Sequence, residues 1–470
     1  MADWDRRTTQ QLAKQREALV KTQVVDVVGP FSPWWRARLK TLGRTATAAG
    51  SLAGLTQLPA AGERDICPDG NPAGAAGLVV QAGETGFALH AQGPVLRKAL
   101  ASRLARPSSY RAVVEADTRP TSFVWAGLGM RFPVASTRSD LDVVARAGAR
   151  MWKVLGLTGA DVVVSALSPL PTASVQALQL GALGAGSPLL APGDDSTEVA
   201  AALRLVPATV LALPSASAEA LLDDLCELDA PLGQLKTVLL IGAPYDDERA
   251  GVRAALTRAG VPDSCLVLAA HVPDGHRLMW AECRQSGGRT GLHTYPDLEV
   301  VQFVDPETGE DAAATSGARE VVVTQLGLRG SALLRWRTGD VADALAEDAC
   351  KSCGRTVPRV VGLRAGALVP MLALRTGVRA VDLRGVAGAL VGRSDVVDWR
   401  IVIGPSDRDD ADEVVVHVVP PEEAEPADVA VAVARDIRSV AGLLPSQVVV
   451  AVDGELPSAG VPLSRRVLSR

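Results

Sequence analysis

The chain has 470 residues, 47% of them apolar and 21% charged, with a formal net charge of -5. This composition is that of a globular chain rather than a disordered one, and it gives no basic field for nucleic acid. The length exceeds what one ordinary core supports, so two or more domains are expected.

In chain order, "MADWDRRTTQQLAKQREALVKTQ" is polar and lacks the apolar core of a signal peptide, so a cytoplasmic location is expected. No uninterrupted apolar run reaches the roughly 18 residues of a membrane span, so no membrane partner is expected. "RRTTQQLAKQREALVKTQVVDVV" has helical spacing of its apolar residues, whereas "WWRARLKTLGRTATAAGSLAGLTQLPAAGERD" reads as loop-rich. Asp140 opens an amphipathic helix, "DLDVVARAGARMWKVLGL", with an acidic start.

Four short β-branched runs follow, "ADVVVSAL", "SPLLAP", "ATVLALP" and "KTVLLIGAP". Helical segments alternate with them: "TASVQALQLGALGA", "STEVAAALRLV", "SAEALLDDLCEL" and "DDERAGVRAALTRAG". That alternation predicts a mostly parallel sheet covered on both faces. From about Leu298 the pattern changes to antiparallel strands in "LEVVQFVDPETGED", "REVVVTQLG" and "ALLRWRTGDVAD". The last stretch, with "DWRIVIG", "DEVVVHVVP", a helix in "PADVAVAVARDIRSVAG" and "SQVVVAVDG", describes a small α+β unit with an acidic surface loop, "PPEEAEPAD". The expected fold class is α/β, with a large N-terminal domain over residues 1–362 and a small α+β C-terminal domain over 363–470.

The six cysteines read as thiols or metal ligands, since disulfides are rare in a reducing compartment. Cys67 stands alone, and Cys226 and Cys265 read as packing residues. Cys350 and Cys353 in "EDACKSCGRTVPRV" are spaced as half of a metal site or as a redox pair.

Several stretches together resemble the phenylacetate–CoA ligase branch of the adenylate-forming enzymes. They are "STRSDLDVVARAGARMWKVLGL", "VLLIGAP", "LEVVQFVDPETGE", "VVVTQLG", "LLRWRTGD" and "CKSCGRTVPRV", in family order. The resemblance implies an adenylate-forming fold. It also supplies two further metal ligands, Cys283 and His293 in "WAECRQSGGRTGLHTYPD", to complete a closed structural zinc site with Cys350 and Cys353.

Family members form an acyl-adenylate from a carboxylic acid and Mg-ATP and pass the acyl group to CoA. Here the segment matching their hydroxyl-rich phosphate loop is "VWAGLGMR", Val124 to Arg131, which keeps Gly127 and Gly129 but no hydroxyl. The motif that resembles Tyr-Gly-x-Thr-Glu is "AAHVP", with Pro273 at the Mg²⁺-side glutamate and Asp274 one position on. The resemblance retains a ribose carboxylate at Asp340, where a turn aspartate explains the residue equally well. It also retains an adenine-side turn at Gly242, Ala243 and Pro244, where a strand end does so. No lysine follows Lys351, the family's terminal lysine slot falls near Leu463, and only Arg465 or Arg466 offers charge there. His271 and His276 fall where the active site would lie and are candidate general bases, and Asp274 is a candidate catalytic residue as the substitute for the Mg²⁺-side glutamate.

The pattern points to a degenerate ligase-like protein, with structural zinc but without family-like use of ATP, Mg²⁺ or CoA. Such a protein would bind a small acyl or aromatic ligand or a partner protein, or would perform ATP-independent acyl chemistry. The alternative is an active ATP-dependent carboxylic acid–CoA ligase with divergent motifs.

Overall fold

The computed structural model describes the chain apart from residues 1–3, 68–70, 81–100, 102–103, 105–117, 245, 285–290, 313–318, 375–376, 392, 407–410, 452–466 and 470. The expected alternation is present. Strands Val163–Ser165, Leu189–Leu190, Val210–Pro214, Thr237–Ile241 and Leu266–His271 pair in parallel. They form one side of a nine-stranded sheet. The other side is antiparallel and is built from Trp280–Ala281, Leu292–His293, Arg359–Val361 and Ala344–Ala346. Most β-branched and leucine side chains on both faces of the parallel strands are buried, because helices cover each face, whereas Leu190 on the edge strand is exposed.

One face carries the helices Arg138–Leu155 and Ala173–Ala185. The first begins two residues before Asp140. Thr137 accepts the Asp140 N–H and Asp140 accepts the Thr137 N–H, a reciprocal cap that fixes the start. The two helices cross at glycines. A Cβ on Gly148 would lie 2.3 Å from Cα of Gly181, so any larger residue would force them apart. The opposite face carries Ser196–Leu205, Ala218–Glu227 and Asp246–Arg258.

A separate antiparallel sheet joins Glu299–Val304, Arg319–Gln325 and Trp336–Ala342. The N-terminal segment packs against it around Trp35, Phe132 and Trp336. There the loop-rich expectation fails. The segment holds short helices at Pro33–Thr41, Ala46–Ala49, Leu52–Thr56 and Glu63–Ile66. Ser32, Thr45 and Ser51 each cap one of them with a hydroxyl. The first helix, Thr9–Lys21, runs on as a π-helical stretch, Thr22–Val28. In that stretch Gln23 turns inward, donating to the Leu328 carbonyl and accepting the Gly327 N–H.

The C-terminal unit has Asp398–Pro405 and Asp412–Val419 at the centre of a four-stranded sheet, covered by helix Pro426–Ala441. Leu463, Arg465 and Arg466 lie outside the described residues. Among the described residues no helix is long and apolar enough to cross a membrane.

Candidate functional site

The parallel strands Val210–Pro214, Thr237–Ile241 and Leu266–His271 end at one edge of the sheet, the edge where open α/β sheets bind ligands. A cavity of about 480 Å³ opens there, between His271–Gly275, the hairpin tip Trp125–Leu128 and the segment Ala365–Pro370. Its walls mix apolar groups (Trp125, Leu128, Leu170, Val369) with six polar ones, Arg131, Thr172, Ser174, His271, Asp274 and Asp340.

The segment expected as a phosphate loop is this hairpin tip. Val124, Trp125 and Ala126 belong to strand Pro120–Ala126, which pairs with Phe132–Thr137, and Val124 is buried in the core beneath. Gly127 has φ +91°, and a Cβ there would meet the Met130 carbonyl oxygen at 1.9 Å, so only glycine makes this turn.

All four N–H groups of the tip are taken by carboxylates from elsewhere in the chain. Gly127 donates to Oδ1 of Asp274 at 2.8 Å. Leu128 donates to Oε1 of Glu63 at 2.7 Å and Met130 to Oε2 at 2.7 Å, with Gly129 shared between the two oxygens at 3.3 and 3.1 Å. Glu63 is invisible to motif reading. It lies 65 residues or more before its partners, and an acid in the first turn of a short helix is an ordinary feature.

Asp274 is a cavity residue, as the resemblance suggested, and is partly buried in the wall. Burial, then the nearby charge of Glu63, pushes its carboxyl up to about 7, with Asp340 adding to the rise and the Gly127 N–H opposing it. The loop that carries Asp274 is fixed from behind by Arg277, a buried residue that sequence reading did not single out. Its guanidinium donates to the Ala135 carbonyl at 2.7 Å, to Gln325 at 2.6 Å and to the Ser331 carbonyl at 2.9 Å. Gln325 in turn donates to the Gly275 carbonyl at 2.7 Å.

His271 and Asp340 meet in the cavity wall, His271 Nε2 to Asp340 Oδ2 at 2.8 Å. The other oxygen of Asp340 accepts the Gly366 N–H at 2.7 Å. Asp340 sits inside strand Trp336–Ala342, next to an irregularity at Gly339, φ +76°, rather than in a turn. His276 is placed elsewhere. It is buried against Trp280 and bonded to Glu299, outside the cavity lining. Gly242, Ala243 and Pro244 end their strand one position over from His271, and they too are absent from the lining. A Cβ on Gly242 would strike Oγ of Ser215 at 2.2 Å and its φ is +136°, so packing and backbone conformation explain that glycine without a ligand.

Cys283, His293, Cys350 and Cys353 converge beside the antiparallel strands of the same sheet, with their ligand atoms all within 4.8 Å of one another. Trp280–Ala281 pairs with His293, and His293 pairs with Arg359 just beyond the Cys350–Cys353 turn. The Cys283 and Cys350 sulfurs are 3.9 Å apart, and Cys353 Sγ is 3.5 Å from Nε2 of His293. A tetrahedral zinc requires about 3.8 Å between two thiolates and about 3.6 Å between thiolate and imidazole, so the donor set fits. Burial, then Arg355 and Arg359, holds His293 down to about 3, which keeps the imidazole neutral, as a ligand must be. Four protein donors leave no open position for chemistry.

No protein-family model matches the chain, and no curated protein does. Solved structures do. 2-Hydroxyisobutyryl-CoA ligase in complex with 2-HIB-AMP and CoA, in the thioesterification state, superposes with a TM-score of 0.60 at 16% identity, over 99% of this chain and 91% of that one. An open conformation of the same ligase with the same ligands also gives 0.60 at 16% identity, over 100% and 95%. Its postadenylation state with 2-HIB-AMP gives 0.59, again at 16%, over 100% and 93%. The fold is therefore that of the adenylate-forming acid–CoA ligases, along essentially the whole chain.

Proposed function

We propose that this chain is a degenerate relative of the phenylacetate–CoA ligase branch, which binds a small acyl or aromatic ligand in the cavity and does not adenylate carboxylic acids at a ligase-like rate. The observation that carries this reading is the hairpin tip of the cavity wall. Asp274 and Asp340 line the cavity together, facing a tip that offers Trp125 and Leu128 where a triphosphate would need hydroxyls. Adenylation develops negative charge on the α-phosphate and pyrophosphate, and the hairpin tip meets it with no hydroxyl and with its four N–H groups already taken by Asp274 and Glu63. Zinc held by Cys283, His293, Cys350 and Cys353 has a structural role in this reading, and residues 1–362 and 363–470 form its two domains.

The measurement is ATP–pyrophosphate exchange with Mg²⁺ over phenylacetic, benzoic, fatty and 2-hydroxyisobutyric acids. The expected result is no exchange above background, together with quenching of tryptophan emission by at least one aromatic or acyl compound through Trp125. Turnover within the ordinary enzyme range of about 1–10³ s⁻¹ overturns the proposal in favour of an active ligase.

The His271–Asp340 contact favours one specific form of residual chemistry. A carboxylate that orients an imidazole at a cavity wall makes a general base, so an already activated acyl donor such as an acyl-CoA is the substrate class to try without ATP. Thioester cleavage that is lost in His271→Ala supports that form, and no cleavage leaves a binding role alone.

A further inference from the structure

The three consecutive N–H groups of Leu128, Gly129 and Met130 point at one spot, and a carboxylate fills it with four contacts between 2.7 and 3.3 Å. Converging backbone N–H groups of this kind form a nest for an oxyanion, whatever molecule supplies it. Glu63 reaches the nest from a segment fastened to the β-rich sheet. Ala61 donates its N–H to the Arg335 carbonyl and accepts the Arg337 N–H, and Gly62 donates to Asp65. The glutamate is almost fully buried. A Cβ on Gly129 would sit 3.0 Å from Oε2, so the glycine leaves the oxygen its room.

The positive charge closest in effect comes from the C-terminal side, where Arg384 acts on Glu63 while bonded to Glu320 and Asp382, each at 2.8 Å. Arg64, the next residue, pairs with Asp382 at 3.4 Å. The nest, its occupant and the C-terminal unit thus form one polar cluster.

We infer that Glu63 is a built-in occupant of this nest, a covalently attached surrogate for a phosphate or carboxylate, and that it sets the specificity of the cavity by denying the hairpin tip to phosphate-bearing ligands. The inference deepens the proposed loss of adenylation and rests on it for its meaning. Its geometry is separate, because it concerns who holds the nest when no nucleotide is present. Removing the carboxylate leaves three N–H groups facing an empty anion site beside Arg384. A free oxyanion of similar size then has a place to bind.

The test uses the full chain with Glu63→Ala and Glu63→Gln and, as probes, inorganic pyrophosphate without metal and sodium formate. In calorimetry, Glu63→Ala should bind pyrophosphate at least about tenfold more tightly than the wild type, a difference of about 1.4 kcal/mol. Formate should raise its melting temperature while leaving the wild type unchanged, as a ligand of the folded state alone does. Glu63→Gln, which keeps one acceptor oxygen and no charge, should fall between the two. Equal pyrophosphate affinity in wild type and Glu63→Ala overturns the inference, as does a folded Glu63→Ala that responds to neither probe.

Amide hydrogen exchange of the unmodified protein reads the same contact without any variant. Protected amides at Leu128, Gly129 and Met130 in nucleotide-free protein support the plug, and exchange at the rate of open-loop amides overturns it even where Glu63→Ala fails to fold. Exchange of ATP with pyrophosphate by the wild type would instead strike at the loss of adenylation, so the two failures are distinguishable.

Discussion

Nε2 of His271, the last residue of a parallel strand, stands 2.8 Å from Oδ2 of Asp340, a residue of the neighbouring antiparallel sheet. The contact ties the two sheet systems together at the cavity. It also occupies the carboxylate that the resemblance assigns to a ribose. Both side chains are buried, so a severed pair leaves an unsatisfied group behind. Asp340→Asn should lower stability by about 1–3 kcal/mol in urea unfolding. His271→Ala should cost a similar amount, and the double variant should cost less than the sum. Additive losses would mean that the pair is not coupled in solution.

Asp274 gives a pH signature. Its folded value of about 7 lies above the unfolded value of about 3.9, so the native state keeps this proton longer than the unfolded chain does. Between those two values the native protein binds more protons. The contribution of Asp274 therefore makes stability fall as pH rises from about 4 to about 7 and levels off above that. Asp274→Asn cannot ionise and lacks this slope. Comparing unfolding free energies at pH 5 and pH 8, the wild type should lose about 2 kcal/mol more than the variant. Parallel pH profiles would show that Asp274 titrates as an ordinary surface acid.

The sheet around this pair was legible in the sequence because runs such as "KTVLLIGAP" carry β-branched and leucine residues between turn formers, and both faces are buried. In the cysteine and histidine cluster, Cys350 and Cys353 were legible through their spacing, and Cys283 and His293 only through the family resemblance. The helices Ala46–Ala49 and Leu52–Thr56 were not, since helices of about one turn are too brief to show a 3.6-residue period and their hydroxyl caps look like loop residues. Glu63, Arg277 and the His271–Asp340 contact were hidden for another reason. Each acts across tens to hundreds of positions, where local pattern carries no information.

The proposed domain junction after residue 362 is held as a joint. Arg364 exchanges two backbone hydrogen bonds with Val341, Leu368 donates to Gly339, and Gly366 donates to Asp340. Arg384 adds a buried ionic link to Glu320, and both its carboxylate partners, Glu320 foremost, raise its affinity for the proton against the opposing effect of burial. Thermolysin should therefore leave "ALVPMLAL" intact in the native protein. In Arg384→Ala, which leaves Asp382 and one oxygen of Glu320 without this partner, the same segment should become the first site of cleavage. Early cleavage of the wild type at this point would instead describe a mobile connection.

Zinc removal is the most direct probe of the Cys283–His293–Cys350–Cys353 cluster. The four donors come from two separate segments of the central sheet, and a tetrahedral ion would bind them into one unit, so metal binding and folding should be coupled. Purified protein should carry close to one zinc per chain by elemental analysis. Cys353→Ala removes the half-buried thiolate nearest His293, at 3.5 Å from Nε2, and should lower both zinc content and melting temperature. Strong chelation of the wild type should lower melting to a similar degree, and added zinc should restore it. Cys226→Ala, a half-buried thiol remote from the cluster, is the control and should keep its zinc. The cavity shares no lining residue with the cluster. A structural ion therefore predicts that mild metal loss changes stability before it changes ligand binding at Trp125. The reverse order, with ligand binding lost while melting is unchanged, would assign the metal to the cavity's chemistry and refute the structural site.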